Sequence, residues 1–261
     1  VLSTPPVSRF KDLEVCAKYK LPVLVEKPLA INFNEAKKLV KFMNDKRLLM
    51  MVGLNFRYLP STVEKIKLIN SNKVGKPNFA KFVYERWRDG RLKRLNKYPL
   101  KMEHPMLWEQ SIHHFDLFRY VYNSDIKTVF ATTSNPPWSM YKHDTNVNAI
   151  LELKNSIIIN YIGNWQSNSK ALNFEWRTDC DNGIIVQKKQ FEGLYYTLFK
   201  SAVEKRIKLK KTKMWFDDAN LLFNDFLRSI KKKRNIYEIN TDHLKSLSLI
   251  HISEPTRQAE M

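Results

Sequence analysis

Glycine is scarce in this chain, with six among 261 residues. They stand at 53, 75, 90, 163, 183 and 193, and no two have the spacing of a Gly-x-Gly-x-x-Gly turn. Within these residues that excludes the turn by which a backbone approaches a pyrophosphate. Cysteine is scarcer still. Cys16 and Cys180 are too few for a disulfide framework and too isolated for a thiolate metal site, so no metal is expected and the expected setting is cytoplasmic. No apolar run approaches the roughly 18 residues of a membrane-spanning helix, and no membrane partner is expected. Acidic residues are also few: 26 Asp and Glu against 45 Lys and Arg leave a net charge of +19.

That charge does not by itself point to nucleic acid. Lysines outnumber arginines 32 to 13 and are spread along the chain. A nucleic-acid reader concentrates Arg and aromatic residues on one face, so no nucleic-acid partner is expected. Hydrophobic content of 43% and charged content of 27% are those of a globular chain. The length suits one large domain or two ordinary ones.

Apolar periodicity gives the elements. Val1 and Leu2 read as a strand end closed by Ser3-Thr-Pro-Pro6. A helix is expected over 7–20, a buried strand over 21–26, a helix capped by Asn34 over 35–47, and a second buried strand over 49–53. Alternating strands and helices of this length make βαβ units on a parallel sheet. The pattern changes after residue 56. A helix over 61–72 leads to a strand over 78–87, an Arg-rich loop over 88–107 and an amphipathic helix over 109–122. Strands follow near 126–133, 146–154, 156–163 and 171–178. Asp181-Asn-Gly183 reads as a tight turn, with shorter strands near 184–188 and 206–210 and a helix over 216–231. The expected fold class is α/β followed by α+β with a mostly antiparallel sheet. The expected domains are 1–56 and 57–246.

Two stretches carry chemistry. Val23-Leu-Val25 runs into Glu26-Lys27-Pro28. In an open α/β sheet, ligands bind outside the carboxyl ends of the strands, so Lys27 stands where that architecture works; a surface Glu-Lys pair at a strand end reads from the same residues. On the helix over 109–122, Glu109 and His113 are four apart and share a face. A carboxylate one turn from an imidazole can orient it for proton transfer; a helix-surface Glu-His pair is the plainer reading. His114 is rotated about 100° from His113, so the two cannot serve one site.

Taken in order, Thr4-Pro5, Glu26-Lys27-Pro28, the run Gly53-Leu-Asn-Phe-Arg-Tyr-Leu-Pro60, and Ser111-Ile-His-His-Phe-Asp-Leu117 resemble the glucose–fructose oxidoreductase and inositol dehydrogenase family, Gfo/Idh/MocA. The endings Phe223-Asn-Asp-Phe-Leu-Arg-Ser-Ile230 and Ile239-Asn-Thr-Asp-His-Leu-Lys-Ser246 fit it too. The resemblance implies the C-terminal part of a Rossmann dinucleotide-binding domain followed by an open-sheet substrate and oligomerisation domain. It implies hydride transfer between NAD or NADP and a secondary alcohol of a sugar, polyol or similar small molecule. Lys27 takes the place of the family's lysine beside the nicotinamide, and His113 that of its general acid/base. Glu109 stands where the family commonly has Asp. Thr4, Pro5, Glu26, Lys27 and Pro28 are the implied cofactor contacts, and Asn55, Arg57 and Tyr58 the implied substrate contacts. A helix-free sheet face implies a homodimer or homotetramer.

The resemblance also implies a first half-domain of about 70 residues, at about 30 or more per βαβ unit, that should precede Val1. Residues 247–261 resemble the read-through translation of a sequencing-library adapter and are expected to be a non-native tail outside the fold. Three other readings remain open: redox-assisted elimination or hydrolysis on the same scaffold, a cofactor-binding regulator, and a basic nucleic-acid binder.

Overall fold

The computed structural model describes residues 1–232 and 234–252, with side chains up to Leu247. The chain divides into two compact units, Val1–Tyr58 with Thr212–His251, and Leu59–Lys211.

The first unit opens on a small parallel layer. Leu2 bridges Val25 of β1 (Val23–Val25), and β1 pairs in parallel with β2 (Met50–Val52). A 3-10 turn (Pro6–Ser8) leads into α1 (Arg9–Lys18), and α2 (Phe33–Asp45) joins β1 to β2. Val23-Leu-Val25 is buried throughout, as a strand covered on both faces must be. α2 starts two residues earlier than the periodicity suggests. Asn32, not Asn34, accepts the Glu35 N–H at 2.8 Å, while the Glu35 carboxylate receives the Ile31 N–H at 3.3 Å. An Asn followed three residues later by Glu satisfies two orphan donors at once, and Asn34 has no acidic residue placed to do so.

In the second unit, α3 (Pro60–Asn70) and α4 (Ile112–Val121) accompany one eight-stranded sheet. Its strands are β3 (Pro77–Glu85), β4 (Ile126–Ser134), β5 (Asn146–Leu153), β6 (Ile158–Asn164), β7 (Asn173–Cys180), β8 (Gly183–Gln187), β9 (Leu194–Leu198) and β10 (Lys205–Arg206). The spatial order is β10-β9-β8-β7-β3-β6-β5-β4, antiparallel except where β3 meets β6. β9 is absent from the sequence reading, although Gly193 and the run Leu-Tyr-Tyr-Thr-Leu mark it. One face is an aromatic core: Phe82 packs on Phe118 at 5.2 Å, Tyr161 at 5.6 Å and Trp176 at 5.5 Å. Gly183 is obligatory, because a Cβ there would lie 2.3 Å from the Thr197 carbonyl oxygen.

The chain then returns to the first unit. α5 (Asp217–Lys231) buries Leu222 and Phe226 against Leu24 and Leu49. α6 (Ile236–Ile252) buries Asn240, whose amide carbonyl accepts the Met50 N–H at 2.6 Å and whose NH₂ donates to the Leu48 carbonyl at 2.9 Å. The open edge of β2 is thus satisfied by a side chain instead of a strand. Set beside the expected domain 57–246, α5 and α6 pack with 1–58, because their apolar stripes find Leu24 and Leu49 there. Of the expected tail over 247–261, the described residues belong to α6. Leu247 is 1% exposed and α6 runs on to Ile252; the rest of that expectation, 253–261, lies outside the described residues.

Candidate functional site

Three chain segments end on one edge of the parallel layer: Leu2 into Thr4, β1 into Glu26 and Lys27, and β2 into Gly53. Arg9 ties two of them together. Its guanidinium donates to the Thr4 carbonyl through Nε at 3.2 Å and Nη2 at 2.7 Å, and to the Glu26 carbonyl through Nη1 at 2.7 Å. Arg9 is 1% exposed, so the clamp is shielded from water and fixes the backbone on either side of the edge. Thr4 is exposed and its hydroxyl donates to Asp12 at 2.7 Å. Pro5 precedes the 3-10 turn. Glu26 is exposed, Lys27 half-buried and Pro28 buried, with a cis Lys27–Pro28 bond. The edge thus presents one ammonium and one carboxylate on a rigid frame. Arg9 escaped the sequence reading because an Arg at the head of a helix looks like a solvated side chain.

The expected substrate contacts are held by the C-terminal helices. The Asn55 amide donates to Asp218, the Arg57 guanidinium to Asp242 at 2.6 Å, and the Tyr58 hydroxyl to Asp225 at 2.9 Å. Arg57 and Tyr58 also line a cavity of about 250 Å³ with Asp225, Arg234, Asp242 and His243. These pairs span 160 to 190 residues of sequence, which no local pattern reports.

In the second unit, Glu109 and His113 stand on one element, but it is not the uniform α-helix expected. Residues Leu107–Ser111 form a π-helical turn, and α4 follows from Ile112. The wider turn brings the Ser111 hydroxyl onto the Met106 carbonyl at 3.2 Å and onto the Tyr161 hydroxyl at 2.7 Å. Such insertions often mark functional sites. Glu109 accepts a hydrogen bond from the Tyr98 hydroxyl, which arrives on a 3-10 turn (Tyr98–Leu100) of the Arg-rich loop. Glu109 and His113 are 9% and 5% exposed, so neither is the helix-surface side chain of the plainer reading.

His114 is a different kind of residue. It is 1% exposed, with Nδ1 at 3.0 Å from the Tyr161 hydroxyl and Nε2 at 3.2 Å from the Gln110 amide. Its ring lies 4.5 Å from that of Phe82. Burial pushes its pKa from 6.5 down to about 3, so it is a neutral core histidine. Burial likewise pushes the Tyr161 hydroxyl far above its ordinary value, and this network holds no charge.

Among the described residues no group of three or more His, Cys, Asp or Glu could hold a metal ion, and no helix is long and apolar enough to cross a membrane. Both cysteines are free. Burial, then Asp179 and Asp181, pushes the Cys180 thiol up to about 12, which makes it unreactive.

Residues 64–186 match the model of the GFO/IDH/MocA C-terminal domain. Over 193 residues the chain is 23% identical to an uncharacterized protein of Sinorhizobium fredii, covering 70% of this chain and 51% of that protein. Over 119 residues it is 24% identical to the myo-inositol 2-dehydrogenase of Thermotoga maritima, covering 46% of this chain and 34% of that one. The chain thus spans about half the length, or less, of the curated relatives it matches. Among solved structures, an oxidoreductase from Agrobacterium radiobacter in complex with NAD+, L-tartaric acid and magnesium superposes with a TM-score of 0.78. The match covers 95% of this chain and 74% of that one at 18% identity, a likeness of fold.

Proposed function

The chain carries the C-terminal domain of the GFO/IDH/MocA oxidoreductase family, and from that premise we propose that the intact protein is an NAD(P)-dependent oxidoreductase acting on a secondary alcohol of a sugar, polyol or similar small molecule. The observation that carries this reading is Lys27, delivered by a clamped strand end to the carboxyl edge of a parallel layer. The edge fits the nicotinamide end of a dinucleotide: it is fixed by Arg9 and lined by Thr4, Pro5, Glu26, Lys27 and Pro28, which would hold that end. When bound, the nicotinamide supplies the hydride acceptor or donor. The protein's own residues do the rest. Lys27 places a cation where an alkoxide develops. His113 takes the hydroxyl proton as general base, and Glu109, fixed in turn by Tyr98, orients that helix face. Asn55, Arg57 and Tyr58 are assigned to the substrate. Two free thiols accord with a cytoplasmic setting.

The test is the appearance of NADH or NADPH with a panel of polyols and sugars. Lys27→Met is expected to lower its rate by about 10²–10³-fold, the scale of one lost electrostatic stabiliser. Product formation with no net reduced cofactor would instead place the chain among enzymes that use the scaffold for elimination or hydrolysis.

We also propose a homodimer or homotetramer built on the helix-free sheet face. There Phe130 and Ile150 pair across β4 and β5 and are 72% and 50% exposed. Light scattering at micromolar concentration should give a multiple of the chain mass, and Ile150→Asp should shift it toward the monomer. A monomeric wild-type protein would end this proposal.

A further inference from the structure

The row of side chains that β3 turns toward the aromatic core, Ala80, Phe82 and Tyr84, continues past the end of the strand into two arginines. Arg86 and Arg88 follow at the same two-residue period. The backbone stays extended there because the Arg86 N–H donates to the Asn164 carbonyl and the Arg88 N–H to the Trp165 carbonyl, both at 2.9 Å. The Arg88 carbonyl is held from two sides, by the Tyr141 hydroxyl at 3.2 Å and the Gln166 amide at 3.1 Å. Tyr141 and Gln166 are both buried. Gly90 is equally confined, since a Cβ would lie 2.8 Å from the Tyr141 hydroxyl and from Leu100. This is a rigid platform rather than a loose loop.

The side chains on it are half-buried cations. Arg86 Nη1 stands 3.4 Å from the Tyr84 hydroxyl, which donates to Gln110 Oε1 at 3.3 Å. Gln110 is the neighbour of Glu109. The Arg88 guanidinium lies 4.5 Å above the ring of Trp165, which is 1% exposed. Among the described residues neither arginine meets a carboxylate. The segment 86–104 holds seven Lys and Arg against two Asp and Glu, and of these two Asp89 is engaged by Arg91. Half-buried guanidinium groups ordinarily pair with carboxylates inside the protein, because losing water without gaining a partner is costly. Here the partner charge has to come from outside.

We infer that the substrate carries an anionic group, a carboxylate or a phosphate, that is received by Arg86 with Arg88 beside it. The planar fork of Arg suits either anion, and the positive segment around it draws an acid toward the platform. Arg86 is one tyrosine hydroxyl away from the turn carrying Glu109, so an anion bound there leaves the rest of a small molecule beside that helix. The inference rests on the hydride-transfer reading for its choice of substrate, and it separates sugar acids and sugar phosphates from neutral polyols.

The test is titration calorimetry and steady-state kinetics on the intact protein with L-tartrate, D-gluconate, D-glucose 6-phosphate and neutral myo-inositol, and inorganic phosphate in the calorimetry. A carboxylate or a phosphate compound should bind, and Arg86→Gln should weaken it by about tenfold or more, the scale of a lost charge-assisted hydrogen bond. Arg86→Lys, which keeps the charge, should lose less. In turnover the loss should fall on KM more than on kcat. Gluconate and tartrate against phosphate and the phosphorylated sugar decide which anion is meant. Anion binding unaffected by Arg86→Gln, no anion binding at all, or oxidation of myo-inositol in preference to every acid would overturn the inference while leaving the hydride-transfer reading in place. Arg86-dependent anion binding with no cofactor reduction would do the reverse.

Discussion

His113→Gln is expected to lower kcat for alcohol oxidation by about 10²–10⁴-fold, the usual contribution of a positioned general base, with a smaller change in KM. Gln keeps a hydrogen-bonding side chain of similar reach but cannot take the proton. Any limb of the kcat/KM pH profile that belongs to this imidazole should vanish with it. The control is the next residue. His114 is buried, neutral and bonded through both nitrogens, so His114→Gln should lower thermal stability and leave the shape of the profile alone. A His113→Gln enzyme with wild-type kcat, or a profile that moves with His114 instead, would remove His113 from the mechanism.

The second large effect concerns stability. Lys65 on α3 is 0% exposed, its Nζ lies 3.2 Å from the centre of the Trp176 ring, and among the described residues it has no hydrogen-bond partner. Two effects compete. A desolvated cation–π contact returns about 2 kcal/mol, while burying an ammonium costs several kcal/mol even after relaxation. Desolvation wins, and the Lys65 pKa falls well below 10.5. The sign follows from proton counting. Below the unfolded-state value the unfolded chain binds a proton that the folded chain holds less readily. Lys65 therefore destabilises the fold increasingly as pH drops from about 10.4 toward its folded value, and ceases to do so above about 10.4. Lys65→Met should raise stability on the order of 1–4 kcal/mol near neutral pH, the range seen when buried charges give way to apolar side chains. The gain should shrink toward pH 10. Equal melting temperatures for the two proteins across pH 6–10 would mean that Trp176 fully compensates the charge.

Much of this architecture is readable from the residues because local signals agree with tertiary structure. Val23-Leu-Val25 is apolar at every position, and only a strand covered on both faces tolerates that. β5 and β6 alternate between buried and outward positions because one sheet face is packed on the core. What escaped the reading depends on distant partners or on phase. The π turn cannot be seen in a 3.6-residue pattern, since an extra residue shifts the phase without changing composition. Asn55, Arg57 and Tyr58 read as pocket residues, and their carboxylates on α5 and α6 come from the other end of the chain. Arg86 reads as the end of a strand and Arg88 as the start of a polar loop. The hydrogen bonds to the Asn164 and Trp165 carbonyls, and those from Tyr141 and Gln166 to the Arg88 carbonyl, show that their backbone is fixed. Lys65 looks like any helix lysine, and nothing local reveals Trp176 behind it.

The first unit is assembled from two stretches of chain separated by the whole of the second. A ribosome delivers residues in order, and contiguous domains fold as they emerge. Residues 59–211 can close their sheet as soon as they are made. The parallel layer must wait with Leu24, Leu49 and the Met50 edge uncovered until Leu222, Phe226 and Asn240 arrive. During that interval the nascent chain shows an apolar strand pair with an open edge, the kind of surface that chaperones bind. Synthesis stopped before α5 would leave it so permanently.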